Sequence, residues 1–416
     1  NNLFTSIGGR SVVTLWNYYA SITNNVINST SVGIYAENAN LPESTGSVIW
    51  SGNIISATRS GIWYNLVYGT ATPLTISNND ISYEEDASIT RWDGIWMTSL
   101  GGNINPIISN NTISGADPST KIVSGYHLWN NTTTATDGII IMGGSVDNVD
   151  YGVWINNFEG YPTSTGSNAG LTNAKLDGLL ITDADLAGIY LHDNPLNTLG
   201  SSAYVYANIQ NSTISNSGLG ILLEGDDASI DVINNNASIT GNEVGIKIID
   251  GADLTSMTGN TITDNTHAGI IIDITAGTIG TISDNAIYNN GYAFDPTYGL
   301  GLKYDLTSPV LNVEQNYWGE SSGPYHAAYN TCGNGNAITG LVDFTPWYID
   351  AAMTTLSGEL AVQNTTQGTS YCTIQDAIDD ADPNDIIEVG DGTFYENINI
   401  DVEGLTLQNS SSPVID

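Results

Sequence analysis

The chain has 416 residues, with 44 acidic against seven basic side chains and a formal net charge of -37, which makes nucleic acid and anionic membrane surfaces poor partners. Only 12% of residues are charged, so the acidity reflects scarce Lys and Arg on a surface of Asn, Ser, Thr and Gly. No run of about 18 uninterrupted apolar residues occurs, so no transmembrane helix is expected. An opening on Asn1 without an initiator Met or signal peptide points to processing or excision.

From the first residues onward one phrase recurs: an aliphatic residue, two small polar residues, Asn or a substitute, then an aliphatic residue. It stands at 22–27 (ITNNVI), 76–81 (ISNNDI), 108–113 (ISNNTI), 209–214 (IQNSTI), 257–262 (MTGNTI) and 282–287 (ISDNAI). Between these, glycine followed by an aliphatic residue recurs at Gly33, Gly61, Gly94, Gly138, Gly152, Gly178, Gly188, Gly220, Gly245 and Gly269. Aliphatic residues two or three apart, separated by turn formers, exclude helical repeats and indicate short strands joined by tight turns. Asn25, Asn53, Asn79 and Asn111 mark the uneven early coils, and Asn236, Asn260 and Asn285 the regular later ones. A unit of about 25 residues fits one turn of a three-sided coil, each strand pairing with its counterparts above and below. The expected fold is all-β, a parallel β-helix (solenoid) of about a dozen coils and roughly 60 Å. Ile221, Ile246 and Ile270 should point inward, and the corner asparagines should bond along the stack.

Residues 1–350 are assigned to this helix, with loop insertions around 114–206 and further loops protruding from the N-terminal corners. Residues 316–347 hold NYWGESSGP and VDFTPW. This pair resembles the closing coil of right-handed β-helices in bacterial and archaeal surface proteins, where N-x-W-G, a later G-P and a final P-W recur. The resemblance implies that Tyr317, Trp318, Phe344 and Trp347 plug the end of the stack. Residues 351–371 read as a polar linker. At 373–381 (TIQDAIDDA), Ile374, Ala377, Ile378 and Ala381 keep helical spacing behind a Thr cap. Strand-like 385–389 and 393–400 and a Leu405/Leu407 pair follow. That run is similar to the N-terminal cap and first coils of pectin-esterase-like proteins of the pectate-lyase-like superfamily, which implies fold and not activity.

A β-helix thus ends near 347 and another begins at 372, too short, on this reading, to bury its own core. Either the chain is cut from tandem β-helices, or residues 372–416 complete the N-terminal coil of the next subunit. The second explanation makes Asn1, Leu3, Phe4 and Ile7 one face of a self-contact. The other face is Ile374, Ala377, Ile378, Ile386, Val389, Phe394, Ile398, Ile400, Leu405 and Leu407. Such head-to-tail contacts propagate. The expected protein is therefore a structural subunit of an extracellular cell-surface filament, sheath or surface layer, a homopolymer with surface glycans as a further partner.

Cys332 and Cys372 suit one disulfide in an exported protein, free buried thiols being the alternative. Sequons begin at Asn28, Asn110, Asn130, Asn131, Asn211, Asn236, Asn364 and Asn409, glycosylation candidates in a chain whose composition also produces them by chance. The rival class is a carbohydrate-binding or polysaccharide-degrading β-helix. Arg10, Arg59, Arg91, Lys121, Lys175, Lys247 and Lys303 look too scattered for a lyase. Asp226, Asp227, Lys247 and His267 run in the wrong order for an inverting glycosidase, so no catalytic residue is assigned. His127, His192 and His326 read as loop residues. Glu84, Glu85 and Asp86, or Asp183 and Asp185, read as solvated corners, with calcium between coils as the alternative, and no other cofactor is expected. Trp63, Trp96 and Trp154 form either sugar-stacking platforms or one packed row.

Overall fold

The computed structural model describes residues 2–6, 11–16, 20–29, 31–37, 40–41, 48–65, 68–70, 74–86, 88–98, 101–103, 106–116, 121–129, 132–133, 138–157, 172–193, 205–226, 228–234, 236–292, 297, 299–357, 362–390, 393–394, 396–409 and 414–415. The chain divides into two compact units, one of Asn1–Asn260 with Thr275–Ile279, the other of Thr261–Ile274 with Gly280–Asp416. Strands of the coils pair in parallel, and the fold is a right-handed parallel β-helix.

In the first unit three inward columns form the core. Ile27, Ile55, Ile81, Ile113, Val146, Ile181, Ile214 and Ile239 stand in one register, each fully buried. Ile34, Ile62, Ile95, Tyr126, Val153, Ile189, Ile221 and Ile246 make a second. Trp50, Ile76, Ile108, Ile141, Leu176, Ile209, Ile233 and Met257 make a third, on the other sheet. Like side chains in contact along a column exclude water, each worth about 2 kcal/mol of burial.

The corner before the first column holds a residue in left-handed geometry, as at Asn24, Gly52, Asn78, Asn110, Gly178, Asn211, Asn236 and Gly259. Asn bears this geometry at little cost. The next position carries the asparagine ladder. Asn25 donates its backbone N–H (3.1 Å) and amide (3.2 Å) to Asn53 Oδ1, Asn53 does the same to Asn79 (3.1 and 2.9 Å), and Asn79 to Asn111 (3.0 and 2.9 Å). Asn236 is not in this ladder, contrary to the spacing argument. Its N–H meets Gly259 O, and Ala237 N–H reaches Asn260 Oδ1 at 3.3 Å, so the true register lies one residue on.

The recurrent glycines mark where coils approach most closely. A Cβ on Gly33, Gly61, Gly94, Gly125, Gly152, Gly188 or Gly220 would fall 2.4–2.8 Å from the carbonyl oxygen of the glycine in the next coil. It would also lie 2.3–2.7 Å from a methyl of a stacked Ile or Val. Gly125, in an Ile122–Trp129 strand without the expected Gly-aliphatic phrase, belongs to this column. Gly138 and Gly178 do not: both are turn residues, at φ of 60° and 70°.

The N-terminal corner insertions are not only loops. Asn40–Leu41, Tyr68–Thr70, Gly101–Asn103 and Thr132–Thr133 pair as a four-stranded parallel sheet. Insertions leaving the same corner of successive coils lie one strand spacing apart, so their backbone groups pair. Within 114–206, the strands Ile122–Trp129, Ser145–Asn157, Thr172–Asp177 and Leu180–Asp193 continue the ladders.

In the second unit, Ile262 stacks on Ile287, and Ile270 on Leu302 and then Ile338. Asparagine ladders run from Asn265 through Asn290 to Asn336 and from Asn285 to Asn316. Trp318 is fully buried beside Gly301, and Phe344 and Trp347 are buried with ring centroids 6.2 Å apart. Trp347 Nε1 donates to Ser321 O at 3.0 Å, while Tyr317 stays half-buried.

The stretch expected as linker contributes structure. Val362–Asn364 and Thr369–Tyr371 form an antiparallel hairpin, and Val362–Asn364 also pairs with Ile386–Val389. With this hairpin the C-terminal segment does bury a core, of Val362, Ile374, Ala377, Ile378, Ile387 and Val389. The helix is Ile374–Asp379. Thr373 Oγ1 accepts from Asp376 N–H at 3.0 Å, and Glu396 takes the N–H groups of Ile374 and Gln375 at 3.1 Å each. Two coil-like strand pairs follow, Ile386–Val389 with Thr406–Asn409 and Thr393–Phe394 with Val414–Ile415. Cys332 and Cys372 are joined in a disulfide across 40 residues, a tie worth about 2–4 kcal/mol.

Candidate functional site

The outward side of the strands that carry the second inward column holds an aromatic row. Tyr35, Trp63, Trp96, His127, Trp154 and Tyr190 share one register position, two residues before Glu37, Asn65, Thr98, Trp129, Asn156 and His192. Trp63 and Trp96 stack at 4.3 Å and 13°, Trp96 and Trp129 at 5.9 Å and 4°, His127 and Trp154 at 4.7 Å and 23°. Trp154 and Tyr190 continue at 6.2 Å. The planes lie across the stacking direction, so the rings cover one another's faces, and Trp96 is only 8% exposed. Of the two readings of Trp63, Trp96 and Trp154, the packed row is the one found. A sugar needs an open ring face to stack on, and here those faces meet other side chains.

Two cations lie along the same row, and a third sits on a neighbouring strand's tyrosine. Arg59 sits 5.0 Å over Trp63, and Arg91 lies 5.1 Å from Trp96 and 5.0 Å from Trp154. Lys121 reaches Tyr83 OH at 2.6 Å. Three of the seven basic residues thus fall in successive coils, where scattering was expected, because insertions of unequal length hide the register. Arg91 also binds Asp93 at 2.9 Å and contacts His127 Nδ1, whose Nε2 faces Asn156 Oδ1 at 2.9 Å.

His127 is a buried strand residue, not a loop residue, and His192 lies on the strand Leu180–Asp193. Burial, with the Arg91 guanidinium beside it, holds the His127 imidazole well below the usual histidine range. Burial holds the Asp93 carboxyl above the usual carboxylate range, partly offset by Arg91. Below about pH 6.5 the unfolded chain takes up a proton that folded His127 refuses, so stability falls as pH drops from there toward the folded pKa. Asp93 acts oppositely, stabilising below about pH 3.8 and losing that contribution as pH rises through its folded pKa. Urea unfolding between pH 7.5 and 5 should therefore show a slope that His127→Gln reduces by up to about 1.4 kcal/mol per pH unit. Equal slopes in both proteins would refute it.

The other sequence candidates do not gather into a reaction centre. Asp226 is exposed, in a shallow corner cleft of about 380 Å³ lined by Asp193, Glu224, Gly225, Asp226, Asp250, Gly251 and Thr275. Lys247 is half-buried on an outward position beside Leu222, His267 is exposed, and Asp227 lies outside the described residues. Glu84, Glu85, Asp183 and Asp185 are exposed, and among the described residues no group of three or more His, Cys, Asp or Glu side chains could hold a metal ion. His326 is buried in an irregular segment, its Nδ1 accepting from Ala328 and Tyr329 N–H at 3.2 and 3.1 Å.

The expected assembly residues separate into two groups. Ile374, Ala377, Ile378 and Val389 are buried in the C-terminal core and so cannot meet a partner. Leu3 (68%), Phe4 (38%), Ile386 (36%) and Ile400 (52%) are exposed, and Ile398, Leu405 and Leu407 are half-buried. Asn1, Ile7 and the Phe394 side chain lie outside the described residues. Of the sequons, Asn364 is withdrawn: it is fully buried, its amide donating to Asp385 Oδ2 at 2.7 Å. Asn110, Asn211, Asn236 and Asn409 are exposed, Asn28 is half-buried, and Asn130 and Asn131 lie outside the described residues. Among the described residues no helix is long and apolar enough to cross a membrane.

Residues 151–339 match the family described as right handed beta helix region. With the parallel ladders described above, this match gives the chain the fold of a right-handed parallel β-helix. A search of curated proteins and one of solved structures each return no match.

Proposed function

We propose that this protein is a structural subunit of an extracellular cell-surface assembly, a filament, sheath or surface layer, whose copies add head to tail by continuing one parallel ladder into the next. The observation that carries this reading is the order of elements in the second unit, where the buried Trp318, Phe344 and Trp347 lie at the close of one set of coils and a capped helix with two further parallel strand pairs follows. Among the described strands Leu3–Ser6 has Val26–Ser29 as its neighbour, and Phe4 is 38% exposed in a column otherwise fully buried. Among the described strands Thr406–Asn409 has Ile386–Val389 as its neighbour, and Leu405 and Leu407 are half-buried against the C-terminal core. An unlike contact of this kind does not close on itself. The disulfide favours an oxidising, extracellular setting. The mutual stacking of the aromatic row speaks against a sugar platform on that face.

Negative-stain microscopy of the full chain tests this reading, alongside a variant lacking residues 401–416 that keeps the helix, the strand Ile386–Val389 and both cysteines. Threads or sheets are expected from the full chain and only single particles from the variant. Single particles from both, or assemblies from both, would sink the reading.

A further inference from the structure

Among the described residues three sequons share one corner of the first unit, where the fold sets the acceptor amide and the hydroxyl on the same outer side. We infer that Asn110 and Asn236 carry N-linked oligosaccharides, a modification that rests on the extracellular part of the reading above. Asn110, Asn211 and Asn236 all adopt left-handed geometry, at φ of 53°, 50° and 67°, and all are exposed. Each is followed by a fully buried residue, Asn111, Ser212 or Ala237, and then by Thr112, Thr213 or Ser238 at an outward strand position. Because the middle residue turns inward, the amide and the hydroxyl two residues on face solvent together, where a transferase can reach both. Asn28, by contrast, lies inside a strand, half-buried between Thr5 and Ser56, and Asn364 is fully buried. Asn130, Asn131 and the Ser411 that completes the Asn409 sequon lie outside the described residues.

Stacking decides which of the three accept sugar. By the register of the strands that follow, the corner runs through Asn110, Gly143, Gly178, Asn211 and Asn236 in successive coils. Asn110 therefore stands about 14 Å from Asn211, with two glycines between them that project no side chain. Its Oδ1 lies against Gly143, where an added Cβ would come within 2.5 Å of it, so the amide nitrogen is turned away from that coil. Asn211 and Asn236 stand opposite each other in adjoining coils, at a spacing of about 4.8 Å that leaves no room for two sugar rings side by side. Asn211 Nδ2 donates to Asp177 Oδ1 at 2.9 Å, which leaves Asn236, with Gly259 at the next corner, as the acceptor of the pair. In the transfer Nδ2 bonds to the anomeric carbon of an oligosaccharide carried on a lipid phosphate. The bond from that carbon to the phosphate oxygen breaks, the phosphate leaves with the electron pair, and the amide loses one proton.

The scarcity of basic residues makes the test direct. Protein isolated from its native cells is denatured, cut with trypsin and analysed by mass spectrometry. Cuts after Arg91, Lys121, Lys175 and Lys247 place Asn110 in fragment 92–121 and both Asn211 and Asn236 in fragment 176–247. One oligosaccharide is expected on each, localised to Asn110 and Asn236, with none at Asn28 or Asn364. Thr112→Val, made in the same cells, keeps the corner asparagine and should lower the sugar on fragment 92–121 at least tenfold. Lack of sugar on either fragment, two oligosaccharides on one copy of 176–247, or sugar at Asn28 would each overturn the inference. Sugar that persists in Thr112→Val would mark attachment without a transferase and overturn it as well. Unmodified fragments from protein that forms threads refute the sugars and leave the assembly reading standing, whereas sugars on protein that forms no threads do the reverse.

Discussion

Asn79→Ala is expected to cost about 3 kcal/mol or more of stability, measured by urea unfolding of the full chain. Asn79 Oδ1 accepts from the backbone N–H and the amide of Asn53, at 3.1 and 2.9 Å. Its own amide donates to Trp50 O at 3.0 Å and to Asn111 Oδ1 at 2.9 Å. All these groups are buried, and water cannot replace the lost partner without opening the corner, so alanine leaves Asn53 N–H and Trp50 C=O unsatisfied at about 1–3 kcal/mol each. Asn79→Asp keeps an acceptor but turns a carboxylate oxygen toward Trp50 O and Asn111 Oδ1, so it should be at least as damaging. Serine should be milder. The same fold uses it at Ser212 and Ser217, whose hydroxyls accept the N–H of Leu179 and Ala184 at 3.2 and 3.3 Å. A loss below about 1 kcal/mol in Asn79→Ala would show that the ladder bonds merely replace equivalent bonds to water.

Gly94→Ala should cost about 3 kcal/mol, a large penalty for one methyl group. The new Cβ would stand 2.4 Å from Ile113 Cγ2 and 2.7 Å from Gly125 O. The side chain could shift by a rotamer, but the carbonyl belongs to a ladder held on both sides. Truncating Ile113 in the same protein should therefore recover only part of the loss, giving a combined effect smaller than the sum. Gly178 supplies the control. Its φ is 70° and a Cβ there would meet nothing closer than 3.8 Å, so Gly178→Asn should be nearly neutral, as Asn already occupies that corner at positions 24, 78 and 110. If Gly94→Ala proved as mild as Gly178→Asn, close approach of the coils would not be why the glycines recur.

These two positions show how far the chain could be read unaided. The Asn25, Asn53, Asn79 and Asn111 series was visible because the coil signal is local: turn formers beside an aliphatic residue fix a corner whatever lies above or below. Register between coils is not local. Asn236 fell one residue out of place, since a corner of two polar residues offers two candidates and only the N–H bonds to Gly259 and Asn260 choose between them. Unequal insertions likewise hid that Arg59, Arg91 and Lys121 fall in adjacent coils and that His127 occupies an aromatic position.

At the C-terminus the cap helix was legible from the spacing of Ile374, Ala377 and Ile378. The hairpin of Val362–Asn364 and Thr369–Tyr371 was not, because short polar strands carry no periodic apolar signal and owe their conformation to pairing with Ile386–Val389.

The chain's own order of residues determined that it coils, where its corners lie and which aliphatic residues face inward, since those follow from turn preference and alternation within one short strand. Only the tertiary structure decided which residues stack on which, that the aromatic rings spend their faces on one another, and which of the expected assembly residues are buried in the C-terminal core. Those outcomes depend on contacts between residues some 25 to 35 positions apart, whose alignment is set by the summed length of every intervening loop.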